Sequence, residues 1–366
     1  MKNDIKVYFE TLGFEFVVYQ RLLSDRSNML FNISGGIRYE QIIEGLLPSS
    51  QRICSIQRCL RTDNLSQIGK SGRHHIFFEM LGHFSFSEFS EKEGKSFMIL
   101  SAWNLLTDIL GIEPEKLFLT IHPNDKTSIE LSKENEIPYK LLASNVTVTR
   151  IRKRTGYRVE IFWKNPYNKG IELWNIVFTQ FDENSNPLPL IVIDSGTSID
   201  RLRTAKENCD SNYQNSDWRP YILEIKNIFS LKTPMSSRVS DLLKAIFFLL
   251  KEDIKPSNKR EGYVLRRLIR TVYMLIPHQL EKCEKVFRIL NKKYYDNTKC
   301  TKINDELLVE FAKFSNVIKS AKRKCKRMLK LNNGILTKRE KLVLKETYGL
   351  PIEITNELMN LWKNDN

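Results

Sequence analysis

The sequence has no long apolar stretch: its longest uninterrupted run is Ala245 to Leu250, far short of the roughly 20 residues that a membrane helix needs. Met1-Lys2-Asn3-Asp4 leads into no apolar signal core, so the expected compartment is the cytoplasm. Cysteine is sparse and unsuitably spaced for metal or redox chemistry. Its six copies, at 54, 59, 209, 283, 300 and 325, make no CxxC pair and no finger-type spacing with the five histidines. That argues against a disulfide scaffold or a zinc site and leaves free thiols in a reducing compartment as the default. Internal repeats and low-complexity tracts are absent too, which removes solenoids from consideration.

Acid is also in short supply. Asp and Glu number 43 against 58 Lys and Arg, a net charge of +15 with a pI near 9.4. So large an excess implies an anionic partner, with nucleic acid ahead of a membrane surface. Most of it sits between Lys251 and Lys330, which holds 22 Lys or Arg against nine Asp or Glu. The chain divides into a near-neutral N-terminal half of mixed structure and a basic, helix-rich C-terminal half. At 366 residues and 41% hydrophobic content there is room for two or three domains with real cores.

Along the N-terminal half, Lys6 to Leu23 read as a helix running into a strand. Leu117 to Ile121, Arg158 to Trp163 and Leu173 to Phe181 read as strands. Leu190 to Asp194 is an apolar strand that stops at an acid, after which Ser195-Gly196-Thr197-Ser198 turns into a helix opening at Ile199. The irregular stretch Asn208 to Asp217 is the best linker, and beyond it Ser237 to Lys251 and Tyr263 to Leu275 have helical spacing. Lys319, Lys322, Arg323, Lys326, Arg327 and Lys330 fall on one helical face with no acid among them, which suits contact with a phosphate backbone. Arg266, Arg267 and Arg270 form a second basic cluster.

The densest signal is Arg73 to Phe86, RHHIFFEMLGHFSF. By pattern alone it is a buried strand pair turning at Gly82. Its neighbours change that. Gln57 to Arg61, this block, AWNLLT from Ala102, ELWNIVFTQF from Glu172, Asp194 to Arg201, PSNKREGYVLRRLIR from Pro256 and KETYGLPIEIT from Lys345 together resemble, in order along nearly the whole chain, the catalytic half of the alanyl-tRNA synthetases, class II enzymes. The resemblance implies an α+β fold: an antiparallel sheet of six or seven strands flanked by helices, followed by an all-helical domain. It assigns residues 1–205 to an ATP and amino-acid domain and 206–366 to tRNA recognition, with neither the family's editing domain nor its C-terminal RNA-binding domain. The implied reaction uses ATP and Mg²⁺ to activate alanine, or another small amino acid, as an aminoacyl-adenylate and to load it on the acceptor stem of tRNA, by a monomer or homodimer.

The resemblance also implies site residues. Arg61 takes the place of the family arginine that holds the α-phosphate and carboxylate. Arg201 takes that of the arginine on the γ-phosphate and adenine, with Arg73 a further phosphate group and Phe78 an aromatic face for the base. Fixed guanidiniums suit in-line attack on phosphate, which gathers negative charge. Asp194 would hold the substrate ammonium, beside Asn175 and Thr147 in the amino-acid pocket. Asn258 and Glu346, the latter where the family has aspartate, would meet the G·U pair of the acceptor stem, with Arg266, Arg267, Arg270, Lys322, Arg323 and Lys326 on the RNA backbone.

The departures gather in that pocket. Thr147 stands where the family's tryptophan caps the alanine side chain. Of a Gly-Pro-Cys-Gly-Pro run only Gly156 survives, in Lys153-Arg154-Thr155-Gly156-Tyr157, while Arg150, Arg152, Lys153 and Arg154 add charge. Two further readings stay open on this ground: an adenylating relative with another amino acid or acceptor, and a tRNA-binding pseudo-synthetase. Joint retention of Arg61, Asp194 and Arg201 favours an enzyme.

Overall fold

The computed structural model describes residues 1–366 except 27–28, 45, 48, 64, 144–146, 152, 166–169, 278, 296–300, 349, 351–354, 357, 361 and 363–366, with backbone only at 151 and 301–304. It resolves into two compact units, 1–252 and 253–366. Among the described residues no helix is long and apolar enough to cross a membrane.

The first unit is built on nine strands: β1 (Glu15–Tyr19), β2 (Gln51–Leu60), β3 (Phe77–Phe86), β4 (Leu117–Ile121), β5 (Tyr139–Leu141), β6 (Val148–Ile151), β7 (Arg154–Trp163), β8 (Ile171–Phe181) and β9 (Pro187–Ser198). They lie in the order β1-β2-β3-β9-β8-β7-β4-β5, with β6 on β7. The run from β2 to β4 is antiparallel throughout, six strands as the resemblance implied. Two short parallel edge strands, β1 and β5, and the hairpin strand β6 raise the total to nine.

Side chains alternate across this sheet with period two, and the alternation makes the site. Val159, Ile161 and Trp163 of β7, Trp174, Ile176 and Phe178 of β8, and Ile191 and Ile193 of β9 point to one face, where they are buried in a single core. Helices α1 (Lys2–Thr11), α3 (Glu91–Asn104) and α5 (Ile199–Lys206) cover that face with Ile5, Phe9, Met98, Ile99 and Leu202. A short helix, α2 (Glu40–Ile43), packs Ile43 with Tyr39, Phe84, Phe86 and Val192 in a smaller cluster, while α4 (Lys126–Glu134) starts at Asp125, whose carboxylate accepts from the Ser128 amide. Residues 158, 175, 177, 194 and 196 lie on the face opposite the main core, which they leave polar.

Three expectations change. Arg73 to Phe86 is no hairpin in itself: β3 runs unbroken through Gly82, which pairs with Ser55 of β2. A Cβ at Gly82 would lie 2.4 Å from the Phe84 ring and 2.9 Å from the Ser195 carbonyl, so glycine here serves close approach rather than a turn. The strand ending in LIVID does not stop at Asp194 but continues to Ser198, where α5 begins. Asn208 to Asp217 is no linker either. Compactness groups α6 (Arg219–Phe229) and α7 (Met235–Lys251) with the sheet, because α7 is buried nearly all round, with Asp241 and Lys244 among its buried residues beside the apolar run Ala245 to Leu250. Asp241 of α7 meets His75 Nδ1 at 2.6 Å, accepts from the Ile76 amide at 2.8 Å and from the Tyr213 hydroxyl at 3.0 Å, and Phe248 stacks on Phe77. The start of β3 is thereby clamped.

The second unit comprises α8 (Arg260–Leu275), α9 (Cys283–Tyr295), α10 (Thr301–Leu331) and α11 (Lys338–Glu346). Phe314, Ile318, Ala321, Cys325 and Leu329 of α10 form its buried seam.

Candidate active site

The polar face of the sheet carries a cavity of about 320 Å³. Of the seven residues expected at the ATP and amino-acid site, six line it: Arg61, Arg73, Phe78, Asn175, Asp194 and Arg201. Arg61, Phe78, Asn175 and Asp194 are put there by backbone pairing of β2, β3, β8 and β9. Leu60 of β2 faces Phe77 of β3, and the Arg61 amide donates to the Ile76 carbonyl at 2.9 Å, so Arg61 emerges beside Phe78 at the mouth of the β2–β3 hairpin. Its Nε donates to the Ile33 carbonyl at 2.7 Å and its guanidinium lies 5.0 Å from the centre of the Phe78 ring. The head group is thus aimed while its outer nitrogens stay open to the cavity. Arg201, in the first turn of α5, donates to the Glu172 carbonyl at 2.8 Å and pairs with its carboxylate at 3.4 Å.

Arg61, Arg73 and His74 lie within the field of Arg201. Removal from water lowers the pKa of Arg61, Arg73 and His74, and the charge of Arg201 lowers each further. Like charges gathered on one cavity wall suit the receipt of an anion.

Asp194 lines the same cavity. It belongs to a row running across three strands, Arg158 of β7, Val177 of β8 and Asp194 of β9; the next row on the same face is Glu160, Asn175 and Gly196. Burial raises the Asp194 pKa to about 6, and the Arg158 charge partly offsets this. Gly36 packs directly on the carboxylate: a Cβ there would lie 2.8 Å from Asp194 Oδ1.

Thr147 is the exception. It is fully buried, its hydroxyl donates to the Leu142 carbonyl at 2.8 Å, and it is not among the residues lining the cavity. Nor are Arg150, Lys153 and Arg154; Lys153 is exposed and pairs with Glu183 at 2.7 Å, while Asn145 and Arg152 lie outside the described residues. Sequence reasoning missed Arg158, Glu172, His74, Met80 and Gly36, all of which line the cavity. Arg158 and Glu172 lie in stretches read as strands, and a pattern of every second residue was the available signal.

The histidines of the RHHIFFEMLGHFSF block divide. His75 is stacked on Trp218 and held by Asp241 and Asn212, a structural post at the cavity edge. His83 is wholly buried, and burial lowers its pKa to about 3. Being neutral, it donates from Nε2 to the Met98 carbonyl at 3.3 Å and accepts at Nδ1 from the Ser195 hydroxyl, whose oxygen accepts from Trp174 Nε1. That chain of bonds is core architecture.

In the second unit Asn258, Arg267 and Glu346 are exposed. Arg266 and Arg270 are spent on buried Glu310, at 2.9 and 3.2 Å, and Arg266 also donates to Asn258, so the three arginines do not act as one outward cluster. The α10 stripe does face outward. Lys319, Arg323, Lys326, Arg327 and Lys330 are exposed and Lys322 half-buried, opposite the buried seam, and none of the six forms an ion pair among the described residues. Of the KETYGLPIEIT stretch, residues 349 and 351–354 lie outside the described residues.

Sheet, cavity and colinear motifs define a class II synthetase. The chain belongs to the family of class II (A) tRNA synthetases, whose family profile matches residues 7–168 and 160–362. It is 28% identical to an alanine–tRNA ligase of Thermotoga petrophila over 399 residues, covering 96% of this chain and 45% of that protein. Against the alanine–tRNA ligase of Petrotoga mobilis it is 29% identical, covering 98% and 46%, and against that of Sulfurimonas denitrificans 27%, covering 98% and 47%. The chain spans about half the length of these relatives.

Proposed function

We propose that this chain activates an amino acid with ATP and transfers it to tRNA, as an aminoacyl-tRNA ligase related to those for alanine. One observation carries the reading: Arg61, Arg73 and Arg201, the aromatic face of Phe78 and the carboxylate of Asp194 line a single cavity. The amino-acid ammonium pairs with Asp194. The α-carboxylate oxygen attacks the α-phosphorus of ATP, the bond to the bridging oxygen breaks, and pyrophosphate leaves. Arg61 stabilises the charge gathering on the α-phosphate, Arg73 and Arg201 hold the outgoing phosphates, and Phe78 backs the base. The terminal ribose hydroxyl of tRNA then displaces AMP from the acyl carbon.

Among the described residues no three His, Cys, Asp or Glu side chains gather as a metal site. Mg²⁺ arriving with ATP would need only one or two protein carboxylates, and Glu172, which lines the cavity, would supply one. Such an ion neutralises phosphate charge when bound.

ATP–pyrophosphate exchange across the amino acids, with and without tRNA, tests the activation step. Absence of exchange under both conditions would leave the tRNA-binding pseudo-synthetase. The α10 stripe supports the tRNA half of the proposal. Reversing Lys322, Arg323 and Lys326 to glutamate is expected to weaken tRNA binding by at least about tenfold near 0.1 M salt and to flatten its salt dependence by two to three phosphate contacts. Filter binding across a salt series measures both, and an unchanged slope would remove the stripe from the RNA surface.

A second reading, favoured by the position of Thr147, concerns the amino acid. The residue standing in for the family's alanine cap does not reach the cavity, whereas Arg158 does.

A further inference from the structure

Arg158 is a cavity guanidinium without a partner. It makes no hydrogen bond or ion pair among the described residues, and its Nε is buried with nothing to donate to. Asn175, one row away on the same face, has the converse defect: its Oδ1 is buried and accepts from no donor among the described residues. An unmet buried donor or acceptor costs on the order of 1–3 kcal/mol, and such groups in a cavity mark where a ligand completes them.

Arg158 is not part of the triphosphate cluster. Arg61, Arg73 and His74 each feel the charge of Arg201, whereas Arg158 acts on Asp194 and Glu160. The arginines thus fall into two groups, three toward the phosphates and one beside the acid that receives the ammonium. Adjacent strands are about 4.8 Å apart, so the backbones of Arg158 and Asp194, two strands apart in one row, are separated by about 10 Å. An amino acid whose ammonium is shared by Asp194 and Asn175 Oδ1 lies over Val177 between them. Its α-carboxylate must turn toward Arg61 and the α-phosphate. The group left to face Arg158 is the side chain.

Resting on the amino-acid activation proposed above, we propose that Arg158 is a specificity-determining residue and that the activated amino acid carries a side-chain carboxylate, as in aspartate or glutamate. Alanine would leave the guanidinium unpaired and desolvated, and a basic side chain would be repelled. Sites built to pair a polar group reject analogues that lack it far more strongly than apolar pockets reject a missing methyl.

Exchange measured on the full chain with each amino acid, with and without tRNA, tests this. The expected kcat/KM for aspartate or glutamate exceeds that for alanine by at least about 100-fold. Arg158→Leu should remove most of that preference by lowering kcat/KM for the acidic substrate far more than for alanine, and Arg158→Lys should keep part of it. Thermal shifts with the sulfamoyl analogues of aspartyl-, glutamyl- and alanyl-adenylate give a readout independent of turnover: an acidic analogue should stabilise most, and Arg158→Leu should abolish its advantage. Best exchange with alanine or another neutral amino acid would overturn the inference and leave amino-acid activation standing. So would an equal loss for all substrates in Arg158→Leu, which would put Arg158 on the α-carboxylate. No exchange and no shift with any compound would overturn the activation reading, and this inference with it.

Discussion

Replacing Arg61 by alanine should lower ATP–pyrophosphate exchange by about 10²–10³ in kcat/KM while leaving the fold intact. The magnitude is that of removing one preorganised donor from a developing oxyanion. Preorganisation is visible in the free protein: Nε is tied to the Ile33 carbonyl and the guanidinium is laid near the Phe78 ring, so no ordering remains to be done when phosphate arrives. Removal from water depresses the pKa of the Arg61 guanidinium, as does the charge of Arg201, yet an arginine stays protonated at any physiological pH. Relief of that repulsion should keep the variant's thermal stability close to wild type. Arg61→Lys should recover little. An ammonium cannot donate to Ile33 and present a paired fork to phosphate at once, so a lysine variant within about tenfold of wild type would show that charge alone, not the anchored fork, is what the site uses. Initial-rate exchange with saturating ATP, paired with a melting curve for each variant, separates loss of chemistry from loss of fold.

Why Arg61 was legible in the sequence and Arg158 was not follows from how each is placed. Arg61, Arg201 and Asp194 stand in colinear motifs, and local pairing of β2 with β3 and of β9 into α5 is enough to deliver them. Strands β4, β7 and β8 were likewise readable, β4 and β7 as strand-like runs and β8 from its alternation of apolar and polar residues. Arg158 gains its meaning only from a lateral row through Val177 to Asp194, a relation across three strands that no local window contains. The same holds for the unit boundary. Whether α6 and α7 belong with the sheet depends on contacts such as Asp241 with His75, 166 residues apart, whereas composition marked only where irregular sequence occurred. Gly82 misled for a different reason. Glycine signals a turn or a close approach with equal force, and only the ring of Phe84 against it decides which. The edge strand β5 is only three residues long and partly exposed, so it carries little of the hydrophobic pattern by which strands are found.

Asp194→Asn should make the protein more stable and far less active, and the two effects should have different pH profiles. Burial raises the Asp194 pKa from 3.8 to about 6. In the folded state the group therefore holds its proton between those values while the unfolded chain has released it. Stability then falls as pH rises through that window and stays lower above it. A two-unit shift corresponds to about 2–3 kcal/mol, to be discounted because the carboxylate is open to the cavity. Asparagine, nearly the same size and uncharged, removes the penalty: the variant should gain on the order of 2 kcal/mol at pH 7.5 and nothing at pH 4, as read by denaturant titration at both values. Activity runs the other way. The substrate ammonium needs the carboxylate form, so wild-type kcat/KM for the amino acid should drop about tenfold per pH unit below 6. The variant should be lower by about 10²–10³ at pH 7.5 and flat across that range, the loss appearing in the amino-acid KM rather than in that of ATP. A variant less stable than wild type at pH 7.5 would mean that Asp194 is satisfied in the resting protein. An unaltered amino-acid KM would remove it from the substrate's ammonium. The conjunction of gained stability and lost binding is the signature of a charge buried for a ligand that is yet to arrive.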